Sequence, residues 1–199
     1  MQRQTTVAIL AGILALGGTS AAQAQSLPLS IELRGGAGIP SGDWNEEDIA
    51  ETALGFGAAV KFAATPMVGI YGGWDRFSFG TDEDAFSSDV TLKDSVFRLG
   101  ADVNVPAATL PVAPFVTAGI VYGKTEAESE GEGGSSSYET DSSIGFEGAV
   151  GVQFGAGPVQ VRPAVGYRSR SVEYPGSGQF AIDETLSYIT FVIGVSLAP

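Results

Sequence analysis

The chain has 199 residues, 10 bases against 23 acids for a formal charge of −13, 28 glycines, and neither cysteine nor histidine. Without Cys there are no disulfides, zinc fingers or thiol nucleophiles, and without His there is no imidazole base, Ser–His pair or His metal site. So negative a chain is also a poor partner for nucleic acid, whose phosphates demand Lys and Arg, and the length suits one domain.

Residues 1–24 read as a secretory signal peptide. One base, Arg3, precedes the apolar run Val7–Leu16 and a small-residue stretch ending Ala22-Gln23-Ala24, the order expected for cleavage after Ala24. The apolar run is about half as long as a membrane-spanning helix needs. The remainder, 25–199, reads as one domain without an apolar run long enough for a transmembrane helix, so any crossing of a bilayer falls to strands.

From there the chain alternates at period two, the strand signal. A first, less regular segment covers Leu27–Ile39. In the second, Leu54, Phe56, Ala58, Val60 and Phe62 alternate with Gly55, Gly57, Ala59 and Lys61. The third, Met67–Phe79, changes phase: Ile70 and Trp74 share one face, Phe77 and Phe79 the other, which a bulge at Gly72-Gly73 would reconcile. The fourth sets Phe97, Leu99, Ala101 and Val103 against Arg98, Gly100 and Asp102, and a fifth covers Val112–Lys124. The sixth, Ile144–Phe154, places Glu147 and Gln153 on its less apolar face; the seventh, Val159–Tyr167, places Arg162 there, with Arg168 following in phase. The eighth, Ile189–Leu197, has Val192 as its apolar exception.

Three connections are short and contain proline: Ala64–Pro66, Val105–Pro111 and Gly155–Pro158. Four are long: Ser41–Thr52, Thr81–Asp89, Thr125–Ser143 and Pro175–Glu184. These hold 17 of the 23 acids and no Lys or Arg. Short and long alternate, so an up-and-down meander gathers the long acidic connections at one pole.

Alternation alone does not say whether the apolar face points in or out. A soluble lipocalin-like barrel would turn it inward; an outer-membrane barrel would turn it to lipid. The other face is mostly Gly and Ala with scattered charges, which fits a narrow lumen better than a water-facing surface. Aromatics near the loop ends (Phe56, Trp74, Tyr122, Phe146, Tyr167) are placed as an interfacial girdle would be. The fold expected is therefore all-β, an eight-stranded antiparallel up-and-down transmembrane β-barrel. In lipid such a sheet must close, because every backbone polar group needs a partner. Pro114 and Pro163 each remove one ladder donor near a predicted strand start.

The A-x-A signal, the eight alternating segments, the stretches Gly69-Ile-Tyr-Gly-Gly-Trp74 and Pro114-Phe-Val-Thr-Ala-Gly119, and the closing Tyr188–Leu197 together resemble the small eight-stranded outer-membrane β-barrels, the group of OmpA-type transmembrane domains, OmpX/Ail-like and OmpW-like proteins. The resemblance covers Gln25–Pro199. It implies location in a Gram-negative outer membrane amid lipid and lipopolysaccharide, passage through the barrel-assembly machinery, and a monomeric state. Such barrels usually end in an aromatic residue. This chain ends Leu197-Ala-Pro199, so either Phe191 and Leu197 serve instead or the signal is read more loosely.

The candidate site is the set of charges on the polar face: Lys61, Arg98, Asp102, Glu147, Arg162 and Arg168, with Arg170 beyond them. They could line a passage for small anions. Eight strands, however, leave an interior only just wide enough for side chains, so mutual pairing that fills the lumen is the expected state. The acidic loops, notably Asp82-Glu83-Asp84 and Glu126–Asp141, offer oxygen ligands to Ca²⁺ or Mg²⁺. They lack EF-hand spacing, and Glu128–Ser137 reads as flexible and solvated, so weak cation screening is expected and no dedicated metal or cofactor site. Gly35-Gly-Ala-Gly38 lies in a strand pattern without a following helix and fails as a phosphate loop. No residue set suggests an enzyme. The functions carried forward are a closed barrel that displays acidic loops and, as the alternative, a small-solute channel.

Overall fold

The computed structural model describes residues 29–42, 51–80, 89–105, 112–131, 134–156, 158–174 and 182–197. All regular structure among them is β: β1 (Leu29–Ser41), β2 (Ala53–Ala63), β3 (Val68–Gly80), β4 (Asp89–Asn104), β5 (Ala113–Gly131), β6 (Gly134–Glu139), β7 (Ser143–Ala156), β8 (Val159–Tyr174) and β9 (Ile182–Leu197). Every pairing is antiparallel, each between strands adjacent along the chain except for β5 with β7 and the return of β9 to β1. β6 pairs only with Glu126–Gly131 of β5, while β7 takes over from Gly123 downward. The two therefore make one stave, and the barrel has eight. The expected signal peptide, residues 1–24, lies outside the described residues, as do Asp82-Glu83-Asp84.

Register fixes the barrel's shape. Stepping across the sheet from Leu29 leads to Phe62, Ile70, Ala101, Ala118, Gly148, Tyr167, Ile189 and back to β1 at Ile39, ten residues further along. With eight strands, that stagger tilts them by about 40° and closes a narrow tube.

The outer face is apolar. Ile31 and Leu33 on β1, Leu54 and Phe56 on β2, Phe97 and Leu99 on β4, Ile120 on β5, Ile144 and Phe146 on β7 and Ile193 on β9 are all more than half exposed. A contiguous belt of this kind would be a severe aggregation hazard in water and is the lipid-facing surface of a membrane barrel. Phe56, Trp74, Tyr122, Phe146 and Tyr167 all stand on it. Phe56 packs edge-on against Trp74 at 5.7 Å, whose indole N–H donates to Ser95 Oγ at 3.0 Å.

Three details differ from the expectation. No bulge interrupts β3; its register with β2 and β4 is continuous from Gly69 to Ser78. The phase problem dissolves because both faces of β3 carry aromatics: Ile70 and Trp74 face outward, while Tyr71, Phe77 and Phe79 are buried in the lumen. Second, the inward face of β4 extends above the alternation read from Phe97, with Leu92, Asp94 and Val96 pointing inward from a strand that starts at Asp89, the last residue of the expected connection. Third, Thr125–Ser143 is not an open loop, because Glu126–Gly131 and Gly134–Glu139 pair as a hairpin that extends the sheet. Above the lipid both faces of a strand meet water, so apolar alternation, the signal that reveals a strand, is lost there.

The lumen is not polar throughout. At the loop end Ala53, Phe77, Phe79, Leu92, Val172, Leu186, Tyr188 and Val192 form a buried apolar cluster, which also accounts for Val192 as the exception in its strand. The small residues opposite make room for it. A Cβ on Gly55 would lie 2.4 Å from the Phe77 ring; lower in the lumen, one on Gly100 would lie 2.5 Å from the Tyr71 hydroxyl.

Candidate functional site

Among and below the apolar side chains the lumen forms three tiers of buried ion pairs, each set by strand alternation that sends every second residue inward. On the loop side, Arg170 donates to Asp94 Oδ1 at 2.5 Å, Thr125 Oγ1 at 2.8 Å, Gly123 O at 2.8 Å and Ser143 Oγ at 2.9 Å. The Tyr188 hydroxyl donates to Asp94 Oδ2 at 2.7 Å.

The middle tier is built around Arg168, which is 2% exposed. Its guanidinium donates to Asp75 Oδ2 at 2.6 Å, Glu147 Oε2 at 2.9 Å and the Tyr188 hydroxyl at 2.9 Å. Arg98 faces the same acids, with Nη2 at 2.7 Å from Glu147 Oε1 and Nε at 3.3 Å from Asp75 Oδ2. The Tyr71 hydroxyl also donates to Glu147 Oε1, at 2.7 Å. Arg34 Nε approaches Asp75 Oδ1 at 3.4 Å.

At the turn end, Lys61 Nζ lies 2.6 Å from Glu32 Oε2, and Arg162 Nη2 donates to Asp102 Oδ2 at 2.5 Å. Asn104 Nδ2 donates to Asp102 Oδ1 at 2.7 Å, and the Arg162 guanidinium stacks on Phe115 at 3.9 Å from the ring centroid. Arg168 on β8 and Asp75 on β3 stand four staves apart whichever way round the barrel is counted, as do Tyr188 on β9 and Asp94 on β4. These bonds therefore run across the diameter of the tube. Charge-assisted bonds of this kind are among the stronger in proteins.

All six residues singled out from the sequence, Lys61, Arg98, Asp102, Glu147, Arg162 and Arg168, point inward, and Arg170 with them. Pairing brings them together in two groups: Arg98, Glu147 and Arg168 in the middle, and Lys61, Asp102 and Arg162 at the turn end. Sequence reasoning passed over Glu32, Arg34, Asp75 and Asp94. Glu32 and Arg34 alternate with Ile31 and Leu33 and could have been found by that spacing. Asp75 sits in the segment of ambiguous phase, and Asp94 lies ahead of the regular alternation that starts at Phe97.

Between the middle and turn-end tiers lies a cavity of about 30 Å³ whose polar wall includes Glu32, Arg34, Lys61, Tyr71, Arg98 and Arg162. Among the described residues, Arg98 Nη1 and Arg162 Nε on the donor side, and Glu32 Oε2 and Asp75 Oδ1 on the acceptor side, are buried without a hydrogen-bond partner.

Outside the barrel, at the loop end, Arg76 pairs with Glu126 at 3.8 Å, Lys93 with Glu128, and Lys124 with Glu139. These three acids of the Glu126–Asp141 stretch are thus engaged by bases. Among the described residues no group of three or more Asp, Glu, His or Cys side chains is placed to hold a metal ion.

A family model for the outer membrane protein beta-barrel domain matches residues 9–198. No curated protein matches the sequence. Among solved structures, Neisserial surface protein A (NspA) superposes with a TM-score of 0.58 at 15% identity, covering 86% of this chain and 97% of that one. Outer membrane protein W of E. coli gives 0.53 at 19% identity, covering 85% and 97%. A major outer membrane protein from Thermus thermophilus gives 0.51 at 10% identity, covering 85% and 98%. At these identities the likeness is one of fold. Taken with the closed tube and its apolar outer belt, the family match over nearly the whole chain leads to one conclusion: this protein belongs to the outer membrane protein β-barrel domain family and is an integral barrel of the bacterial outer membrane.

Proposed function

We propose that the barrel is closed to solutes and serves as a rigid mount, holding its long acidic connections at the extracellular surface for structural or surface-interaction roles. The observation that carries this reading is the transverse bond from Arg168 to Asp75 with Arg98 and Glu147 packed around it. A continuous water path would have to part these pairs and then pass the apolar cluster above them. Removing one partner from such a pair leaves an uncompensated buried charge, so the filled state is the stable one.

The same reading takes residues 1–24 as a signal peptide that directs export, after which the barrel-assembly machinery inserts residues 25–199 with the short turns toward the periplasm. Lipopolysaccharide then surrounds the outer rim, and cations screen the acidic loops weakly.

Single-channel recording in planar bilayers tests the closed state. Purified, heat-modifiable barrel is expected to leave the bilayer without discrete, sustained openings. Steady conductance would overturn the filled-lumen reading in favour of a small-solute channel. Cell fractionation with N-terminal sequencing checks the export step, with Gln25 expected as the first residue of the mature chain.

A further inference from the structure

We propose that the cavity between the middle and turn-end tiers binds a single chloride-sized anion, with Arg34 as its principal partner. Among the described residues, six bases point into the lumen (Arg34, Lys61, Arg98, Arg162, Arg168, Arg170) and five acids (Glu32, Asp75, Asp94, Asp102, Glu147). The tiers locate the surplus. The loop-side tier balances Arg170 with Asp94, and the turn-end tier balances Lys61 and Arg162 with Glu32 and Asp102. In the middle, three guanidinium groups share the carboxylates of Asp75 and Glu147.

Arg34 is the base left over. Among the described residues its one acid is Asp75, whose Oδ1 stands 3.4 Å away without a hydrogen bond, while Oδ2 of the same carboxylate faces Arg168 at 2.6 Å and Arg98 at 3.3 Å, so three guanidinium groups share that one negative charge. A buried charge without a counter-charge is strongly disfavoured, and the wall beside Arg34 supplies little to offset it. Arg34, Arg98, Lys61 and Arg162 line the cavity against one acid, Glu32, which Lys61 occupies at 2.6 Å. Arg98 Nη1 and Arg162 Nε, on side chains more than nine-tenths buried, have N–H groups without acceptors.

Size narrows the ligand class. The space open to the centre of a small ligand is about 30 Å³, roughly two to three times the ~10–15 Å³ that one water needs on the same measure. It holds one small inorganic anion, and a halide is the simplest that the lining donors suit. One monovalent anion neutralises the middle tier and accepts from the free guanidinium N–H groups.

The inference rests on the closed interior proposed above, but the two fail separately: conductance overturns the closed barrel, whereas halide occupancy decides this site. Folded barrel in detergent is titrated with sodium chloride or bromide against sodium gluconate at constant ionic strength, and crystals grown in bromide are measured at the bromine absorption edge. The expected results are an anomalous peak in contact with the Arg34 and Arg98 guanidinium groups and a saturable rise in Tm with either halide that gluconate does not give. Arg34→Met, which removes the surplus charge and keeps an extended chain, is expected to lose both. An ordered water without anomalous signal in the wild-type cavity, or coincident halide and gluconate curves, would overturn the proposal. The wild-type bromide measurement decides the matter even where Arg34→Met does not fold.

Discussion

Arg168 shows why an interior charge in this barrel is costly to lose. It alone touches both acids of the middle tier and the Tyr188 hydroxyl that leads on to Asp94. Arg168→Ala should therefore lower unfolding stability by about 3–5 kcal/mol, measured by urea denaturation of the barrel in lipid vesicles. Glycine positions offer a sharper contrast. Gly55→Ala forces a methyl into the Phe77 ring, whereas Gly35→Ala, whose new Cβ meets nothing nearer than Gly55 O at 3.7 Å, should leave the gel mobility shift unchanged; the Gly55 variant should unfold at lower temperature. Much of this was legible from alternation, because a charge flanked by apolar neighbours in a membrane strand has only the lumen to face. Which base meets which acid was not legible, since Arg168 and Asp75 are 93 positions apart and only barrel closure brings them together.

The β5–β6 extension shows the limit of the same reasoning at the level of the element. Its residues, Glu126–Gly131 and Gly134–Glu139, carry no apolar alternation, so they read as loop although their backbones pair. The pair of Lys124 with Glu139 is exposed, each side chain about half accessible, and exposed pairs contribute little. Lys124→Ala is accordingly expected to change stability by no more than about 0.5 kcal/mol. Replacing residues 128–137 with a short Gly-Ser turn should leave a heat-modifiable barrel, because β7 already pairs with β5 below Gly123. Loss of the folded gel band on that replacement would mean that the extension is needed to form the staves beneath it.

For the whole molecule, depth in the bilayer decides what a substitution on the outer face costs. Ile120, midway along the lipid-facing part of β5 and 54% exposed, should tolerate a charge poorly. Ile120→Arg is expected to lose about 2–4 kcal/mol, and Leu54→Arg, near the loop end of β2, about 0–1 kcal/mol, by the same vesicle titration. Equal costs would argue against a membrane midplane at that level. The eight staves, their direction and the outward apolar face were readable from period-two spacing and connection lengths. The apolar cluster at the loop end was not, because Phe77 and Phe79 look like lipid-facing residues until the neighbouring strands assign their phase.

One consequence follows from the pairing of β1 with β9, from Ile31 opposite Leu197 to Ser41 opposite Ser187. The two strands that seal the tube are the first and last of the sheet, so the longest loop in the chain must be closed to make the final seam, and non-local contacts of this kind form late. Every earlier species along the chain carries two raw edges into lipid, where their amide groups have no partner. Barrel formation is thus held back until the whole polypeptide has been delivered, and a product cut short before β9 would be left as an open ribbon that the bilayer cannot accept.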